Sequence, residues 1–216
     1  MSEPREKILG LVASGKISAD EGNVLLRALK PERTQLWRWL FWPFERATPA
    51  QAWATALGVC ALSLALRPLN IRFDGAIDLH LVQQVPSWRT ALLDQAVAWP
   101  LLGLVFWLVA LLSRQPARLL DVLAFVGAAR LPYLLAALVV AAAGAGANLA
   151  EGGGAALLIA VTVLPLLVWM CWLLFHGLRV ATGGRGLRLS LTFFAALLLG
   201  EIASKLVLGA LSRGAG

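Results

Sequence analysis

Two long apolar runs near the end of this chain limit its possible folds most strongly. Residues 155–175 contain no charged side chain, and residues 187–211 carry one acid and one base near their far end. At about 1.5 Å per helical residue, each run covers the roughly 30 Å hydrocarbon core of a bilayer. A Gly-rich turn with Arg179, Arg185 and Arg188 joins them. The pattern predicts a helical hairpin in a membrane, with its basic turn in the cytoplasm.

The composition agrees with a membrane protein. Hydrophobic residues make up 59% of the 216 positions and charged residues only 14%, whereas soluble domains carry about 25% charged residues. The formal net charge of +7 is spread over short segments between apolar runs. This distribution indicates topology signals and contacts with anionic lipid at the basic cytoplasmic turns, and it argues against a nucleic-acid partner.

The apolar runs predict an all-α, polytopic membrane domain over residues 49–211 with five transmembrane helices. The expected spans are residues 49–66, 90–112, 132–147, 155–175 and 188–211. Residues 119–130 are expected to form an interfacial or tilted helix, followed by a kink at Arg130-Leu131-Pro132. Residues 119–147 could form one kinked helix or two elements. The polar segment 67–86 could contain a short β-hairpin around Asp74-Gly75 or an irregular cap over the helix ends.

Residues 1–32 are predicted to be a small cytoplasmic two-helix module. Ser14-Gly15 ends the first helix, and Ser18 with Glu21 three residues later forms a capping box for the second. Two short helices bury little apolar surface alone, so the module is either a terminal ornament or a docking unit. If it docks, the candidate contact residues are the apolar Ile8, Val12, Leu25 and Leu26. The pattern over about 25 residues resembles the SHOCT-like oligomerisation modules of bacterial envelope proteins.

Residues 33–48 combine aromatic and basic side chains. Trp37, Trp39 and Trp42 alternate with Arg38 and lie just before the first apolar run. This composition is typical of a segment at the level of the lipid headgroups. Aromatic and basic residues can also bind single-stranded nucleic acid, but the position before a hydrophobic span favours lipid or a protein partner.

The distribution of bases predicts the orientation. Eight Lys and Arg residues lie in residues 1–48, two in the 113–118 turn and three in the 176–188 turn. By the positive-inside rule, the N-terminus lies in the cytoplasm and five spans place the C-terminus outside. Because the N-terminus is polar and mixed in charge, we expect no cleavable signal peptide. The predicted location is the bacterial cytoplasmic (inner) membrane.

Two segments resemble signatures of the Yip1 family of membrane proteins. They are residues 121–135, DVLAFVGAARLPYLL, and residues 172–186, WLLFHGLRVATGGRG. The resemblance implies five transmembrane helices, and the signatures are packing and turn motifs. Arg130 departs from the family pattern, which usually has a small polar residue there. Eukaryotic members are associated with Golgi trafficking, and bacterial relatives include accessory proteins of ABC-type export systems.

Charged residues inside the apolar runs are the candidate functional residues, since a charge in hydrocarbon is costly. Glu201 and Lys205 are four residues apart on one helix face and can form an ion pair. Asp121 and Arg130 could pair in the same way, or Arg130 could extend to a lipid phosphate. Each could be structural, could contact another subunit, or could line a proton or ion pathway.

No catalytic, metal-binding or cofactor-binding motif is present in the sequence. Walker A, H-E-x-x-H, G-x-S-x-G and G-x-G-x-x-G patterns do not occur, and the two cysteines have no metal spacing. We therefore expect a non-catalytic protein without cofactors that contacts a membrane-protein partner or a second copy. The expected function is an accessory, assembly or regulatory subunit of a membrane complex. The alternative is a small oligomeric transporter or channel that uses Glu201, Lys205 and Arg130.

Overall fold

The computed structural model describes residues 3–18, 20–22, 25, 35–73, 75, 77, 80–146 and 153–213. The protein is almost entirely helical. Nine α-helices, numbered in chain order, have the following bounds in the described residues: α1 Glu3–Ala13, α2 Gln35–Phe41, α3 Pro49–Ala65, α4 Trp88–Ala96, α5 Leu102–Leu112, α6 Leu119–Ala128, α7 Leu131–Gly146, α8 Gly153–Thr182 and α9 Gly186–Arg213. Short 3₁₀-helices occupy Pro43–Glu45 and Arg67–Leu69, a π-helix occupies Val97–Leu101, and the strands are β1 Ile71–Arg72 and β2 His80–Leu81.

The chain divides into two compact units, Met1–Leu40 and Phe41–Gly216. In the first unit, Gly15 has a positive φ of 68° in the turn after α1, a conformation that favours glycine. The predicted capping box is confirmed: Ser18 N–H donates to Glu21 Oε2 at 2.8 Å, and Glu21 N–H donates to Ser18 Oγ at 3.2 Å. Residues 20–22 and 25 are helical, whereas most of the predicted second helix, including Leu26, lies outside the described residues.

Within the described part of the second unit, four helices are long and apolar enough to cross a membrane. They are Trp88–Leu112, Leu119–Ala142, Ala160–Thr182 and Gly186–Leu211. The sequence predicted five spans; the remaining one corresponds to α3, a shorter apolar helix of 17 residues. Its N-terminus has a complete capping box between Thr48 and Gln51, with Pro49 in the first turn.

The predicted kink near Arg130 is confirmed, and residues 119–146 form two helices. Between α6 and α7, Ala129 and Arg130 adopt a turn, and Arg130 N–H bonds to Gly127 O with the tighter i→i+3 spacing. The sequence suggested an interfacial or tilted helix for residues 119–130. In the structure α6 is part of the candidate span Leu119–Ala142, and its Val122 and Val126 are completely buried, whereas Leu120 is exposed. α3 packs along α6, α7 along α8, and α5 along α9.

Glycines in α6 and α8 allow close helix contacts in this unit. A Cβ at Gly127 would lie 2.6 Å from the Cβ of Ala56 and 2.6 Å from the indole Nε1 of Trp99. A Cβ at Gly177 would lie 2.6 Å from Cγ of Phe125. Neither position has room for a larger side chain, so the glycines let α6 approach α3 and α8 closely.

The segment 67–86 contains the short antiparallel hairpin that was one of two predicted alternatives. Ile71 pairs with Leu81 and Arg72 with His80. Arg72 donates two hydrogen bonds to the buried carboxylate of Asp94, at 2.9 and 2.8 Å. This bidentate pair attaches the hairpin to α4. We call this side of the unit the hairpin end, and the side that carries turns 113–118 and 183–185 the basic end.

Candidate functional site: intramembrane charges and contact surfaces

Arg130 is one of two charged residues, with Asp94, that are almost completely buried among the described residues. It is 2% exposed and lies eleven residues after the start of α6. At about 1.5 Å per residue, this places it roughly 16 Å from the basic end, near the middle of a 30 Å hydrocarbon layer. Its guanidinium lies 5.3 Å from the centre of the Tyr133 ring, within range of a cation–π contact.

A π-helix supplies the hydrogen-bond acceptor for Arg130. Pro100 has no N–H to donate, and the helix widens to π geometry over Val97–Leu101. In a regular α-helix the Ala98 carbonyl would accept from Leu102 N–H, but that N–H bonds to Trp99 O. Nη1 of Arg130 donates to the Ala98 carbonyl. The arginine therefore satisfies a backbone acceptor that the irregular helix leaves available.

The sequence left open whether Arg130 pairs with Asp121 or extends to a lipid phosphate; in the structure its contacts are the Ala98 carbonyl and the Tyr133 ring. Arg130 and Asp121 are nine positions apart along α6 and the following turn, and Arg130 is buried against Ala98 and Tyr133. Asp121 lies in the first turn of α6 and lines a cavity of about 240 Å³ at the basic end, next to Phe44, Pro49 and Gly177. The Arg130 side chain, at the kink, lies instead against the π-helix, where it reaches the Ala98 carbonyl.

Glu201 and Lys205 form the predicted i,i+4 ion pair on α9, with 3.7 Å between Lys205 Nζ and Glu201 Oε1. The Lys205 side chain is 48% exposed and the Glu201 side chain 23%. Counted from Gly186 at about 1.5 Å per residue, the pair lies roughly 22–28 Å along the helix. It is therefore close to the hairpin end, where a lysine can extend toward headgroups.

The aromatic segment of residues 33–48 contacts the membrane helices through its C-terminal part. The indole Nε1 of Trp172 donates to Phe41 O at 2.9 Å, and the Trp42 ring packs edge-on against the Trp172 and His176 rings. Trp42 thus contacts α8, in addition to its predicted role at lipid or a partner. Trp37 and Trp39 are 60% and 46% exposed.

His176 is a buried residue that the sequence did not single out. It is 1% exposed, its Nε2 lies 3.3 Å from Glu45 Oε1, and the Phe44 ring stacks on it. The pairing joins residues 131 positions apart, so sequence spacing carries no signal for it. Its effect is to hold the Pro43–Glu45 turn on α8.

In the first unit, the predicted contact residues differ in exposure. Ile8 and Val12 are half-buried, and Val12 lies against the buried Gly22, whereas Leu25 is 42% exposed. Leu9 and Leu11 are 44% and 38% exposed, so the outward apolar surface includes two leucines that the sequence analysis did not select. Among the described residues, no group of three or more His, Cys, Asp or Glu side chains could hold a metal ion.

Comparison with known families identifies the N-terminal part of the chain. Residues 3–34 match the SHOCT-like domain. The SHOCT-like domain thus corresponds to the module predicted from the Ser18–Glu21 capping box and its apolar neighbours, and the membrane helices lie outside the match. Comparisons with curated proteins and with solved structures find no match.

Proposed function

We propose that this protein is a non-catalytic membrane protein that acts as an accessory, assembly or regulatory subunit of a membrane complex. One observation carries the proposal: the same chain holds a SHOCT-like domain and four helices of membrane-spanning length and composition. Such a chain can fix a small docking domain at a membrane surface, where it meets a partner or a second copy.

The surface of the SHOCT-like domain supports this proposal. Leu9, Leu11 and Leu25 are each more than one-third exposed in a domain of about thirty residues. A domain of this size buries too little apolar surface for high stability by itself. Covering these leucines with a partner would add buried apolar area on both sides of the contact.

The surroundings of the intramembrane charges favour a protein that contacts a partner over a protein that transports a solute. Arg130 is engaged by a backbone carbonyl and an aromatic ring, and Glu201 and Lys205 are engaged by each other. The three described cavities are lined by other residues. We therefore propose a structural role for these charges. If they instead lined a solute pathway, the protein would be the alternative, a small oligomeric transporter or channel.

We extend the proposal to topology: five spans, the N-terminus in the cytoplasm, the C-terminus outside, and a bacterial inner membrane. α3 would be the fifth span, since its 17 residues extend about 26 Å and it is followed by a 3₁₀ turn. The pairing of Arg72 with Asp94 supports this orientation because it neutralises one base at the proposed outer end. A reporter fused after Gly216 should behave as external; cytoplasmic behaviour would mean four spans.

Membership of the Yip1 family is part of the proposal as well. It is supported by the contact of Gly177 with Phe125, which joins the two segments that carry the resemblance. An ABC-type export system is the partner class that this resemblance suggests.

Co-purification from native membranes after crosslinking tests the proposal. The wild-type chain should carry a stoichiometric protein partner or form a discrete oligomer. Leu9→Gln combined with Leu11→Gln should remove most of that association and leave the membrane unit intact. The matched control, Lys16→Gln with Asp20→Asn at exposed polar positions of the same domain, should retain it.

Two outcomes would contradict the proposal. One is association that is unchanged in the leucine variant. The other is solute flux into liposomes that contain this protein alone and that falls in a Glu201→Gln variant, which would establish the transporter alternative.

A further inference from the structure

We propose that the basic end of the membrane unit has a specific site for one anionic phospholipid. The site is the groove between the turn after α5 and the first turns of α9, with the lipid phosphate on Arg114 and Arg188. The inference rests on the proposed membrane placement of the chain and adds a defined ligand and two binding residues.

The groove is polar at one end and apolar over the rest of its length, which matches the headgroup and acyl chains of a phospholipid. Its volume is about 780 Å³, and its polar end is formed by Ser113, Arg114 and Arg188. The rest of the wall is apolar and includes Leu112 and Leu187, which are 83% and 75% exposed. No acidic residue lines it, so a phosphate would meet two positive charges without a competing carboxylate.

The backbone at Arg114 gives an independent reason to assign a ligand. The α5 C-terminus closes with Arg114 N–H on Leu111 O at 2.9 Å and Gln115 N–H on Ala110 O at 2.8 Å. These are the two bonds of a Schellman motif, in which the residue at the Arg114 position is usually glycine. Arg114 occupies it with a φ of +52°. An arginine at a position that favours glycine costs folding free energy, and a functional side chain explains why it is there.

Both walls of the groove are fixed to each other. The Arg188 guanidinium donates to Ser113 O, and Gln115 Nε2 donates to Thr192 Oγ1 at 3.2 Å. Thr192 Oγ1 in turn donates to Arg188 O at 2.9 Å. The two basic residues are therefore held on facing sides of the groove before a ligand arrives, which reduces the entropy lost on binding.

The apolar wall distinguishes a lipid from a soluble phosphate. Leu187, Leu191 and Ala195 follow one face of α9 and together extend about 12 Å from the basic end toward the membrane interior. This surface suits the upper part of an acyl chain, while the guanidinium groups suit the headgroup region. A free phosphate would use only the polar end.

Native mass spectrometry of the full chain tests the site. The protein is reconstituted in phosphatidylcholine vesicles with or without phosphatidylglycerol, released in mild detergent, and analysed for retained lipid. Wild-type protein should keep one phosphatidylglycerol per chain. Arg114→Gly should reduce that retention about fivefold, the loss expected for one basic contact near the surface. Because glycine suits this backbone, the thermal midpoint of the variant without phosphatidylglycerol should be equal to or higher than that of the wild type.

The matched control is Arg118→Gln, which removes an exposed base from the same turn but outside the groove. It should retain phosphatidylglycerol as the wild type does. Equal loss in both variants would overturn the site in favour of general surface attraction, and displacement of the lipid by inorganic phosphate would overturn the role of the apolar wall. Crosslinking of a photoactivatable phosphatidylglycerol should label residues 112–114 and 187–195. A protein that retains neither lipid and is released from vesicles would refute the membrane placement itself.

Discussion

Two regions of the membrane unit hold charged side chains in apolar helices, and they do so in opposite ways. At the junction of α6 and α7, Arg130 is 2% exposed and its acceptor is the backbone carbonyl of Ala98. On α9, Lys205 is 48% exposed and its partner is a carboxylate one helical turn away. The first arrangement joins residues 32 positions apart, whereas the ion-paired groups of the second are four residues apart on one helix.

The comparison shows why sequence separation alone does not reveal how an intramembrane charge is stabilised. Lys205 is half-exposed near the hairpin end and only 3.7 Å from Glu201, so without that partner it can still extend toward the headgroup region. Arg130 depends on the π-helix around Pro100 and on Tyr133. A change in any of these leaves a charge or a carbonyl buried without its partner.

The largest effect is expected at Arg130. Arg130→Lys should lower the free energy of unfolding by about 3 kcal/mol, because a charge stays buried while the guanidinium contacts are lost. Arg130→Met should cost less, about 1–2 kcal/mol, because only the Ala98 carbonyl is left unpaired. Thermal unfolding in lipid nanodiscs measures both, with Leu135→Met on the exposed side of α7 as the control. A lysine variant as stable as the wild type would show that the charge alone matters.

An intermediate effect is expected at the hairpin end. Asp94 is buried and binds Arg72 in bidentate geometry, but the Arg72 side chain is 31% exposed, so solvent screens part of the interaction. Asp94→Asn should therefore cost about 2 kcal/mol. Arg89→Gln, at an exposed base nearby, should change stability by less than about 0.5 kcal/mol. Similar thermal midpoints for the two variants would mean that the pair does not attach the hairpin.

A smaller effect is expected for the pair on α9. Lys205→Met should cost at most about 1 kcal/mol, and adding Glu201→Gln should recover most of that loss, because the double variant has no unpaired carboxylate. A double-mutant cycle of unfolding free energies measures the coupling. If the loss of stability in the double variant equals the sum of the two single losses, the two residues act independently and the pair contributes nothing.

The smallest effect is expected in the SHOCT-like domain, at the fully exposed Glu21. Hydrogen bonds from the Ser18 N–H and hydroxyl lower the pKa of the Glu21 carboxyl below its usual 4.5. The stabilising contribution is therefore complete above pH 4.5 and is lost as the pH falls through the lowered pKa. NMR amide shifts of residues 18–22 should report this loss, and Ser18→Ala should weaken it, because the hydroxyl bond is lost while the backbone N–H at position 18 still donates to Glu21. A titration midpoint above 4.5 would contradict the capping role.

The parts of the fold that depend on local patterns were predictable. The Ser18–Glu21 capping box, the kink before Pro132 and the i,i+4 pair of Glu201 and Lys205 follow from spacing along one segment. The contacts of Arg130 with Ala98 and of His176 with Glu45 join residues 32 and 131 positions apart. They depend on how helices pack, which a single sequence does not specify. Pro100 inside an apolar run was the available signal for an irregular helix. It did not indicate which side chain would donate a hydrogen bond to the free carbonyl.

The membrane placement requires that lipid surrounds most of the unit Phe41–Gly216. Washing native membranes with alkaline carbonate tests it most directly, because this treatment removes peripheral proteins and leaves proteins with membrane-spanning helices in the bilayer. We expect the chain to stay in the membrane pellet together with a known integral protein. Release of the chain into the supernatant would contradict it.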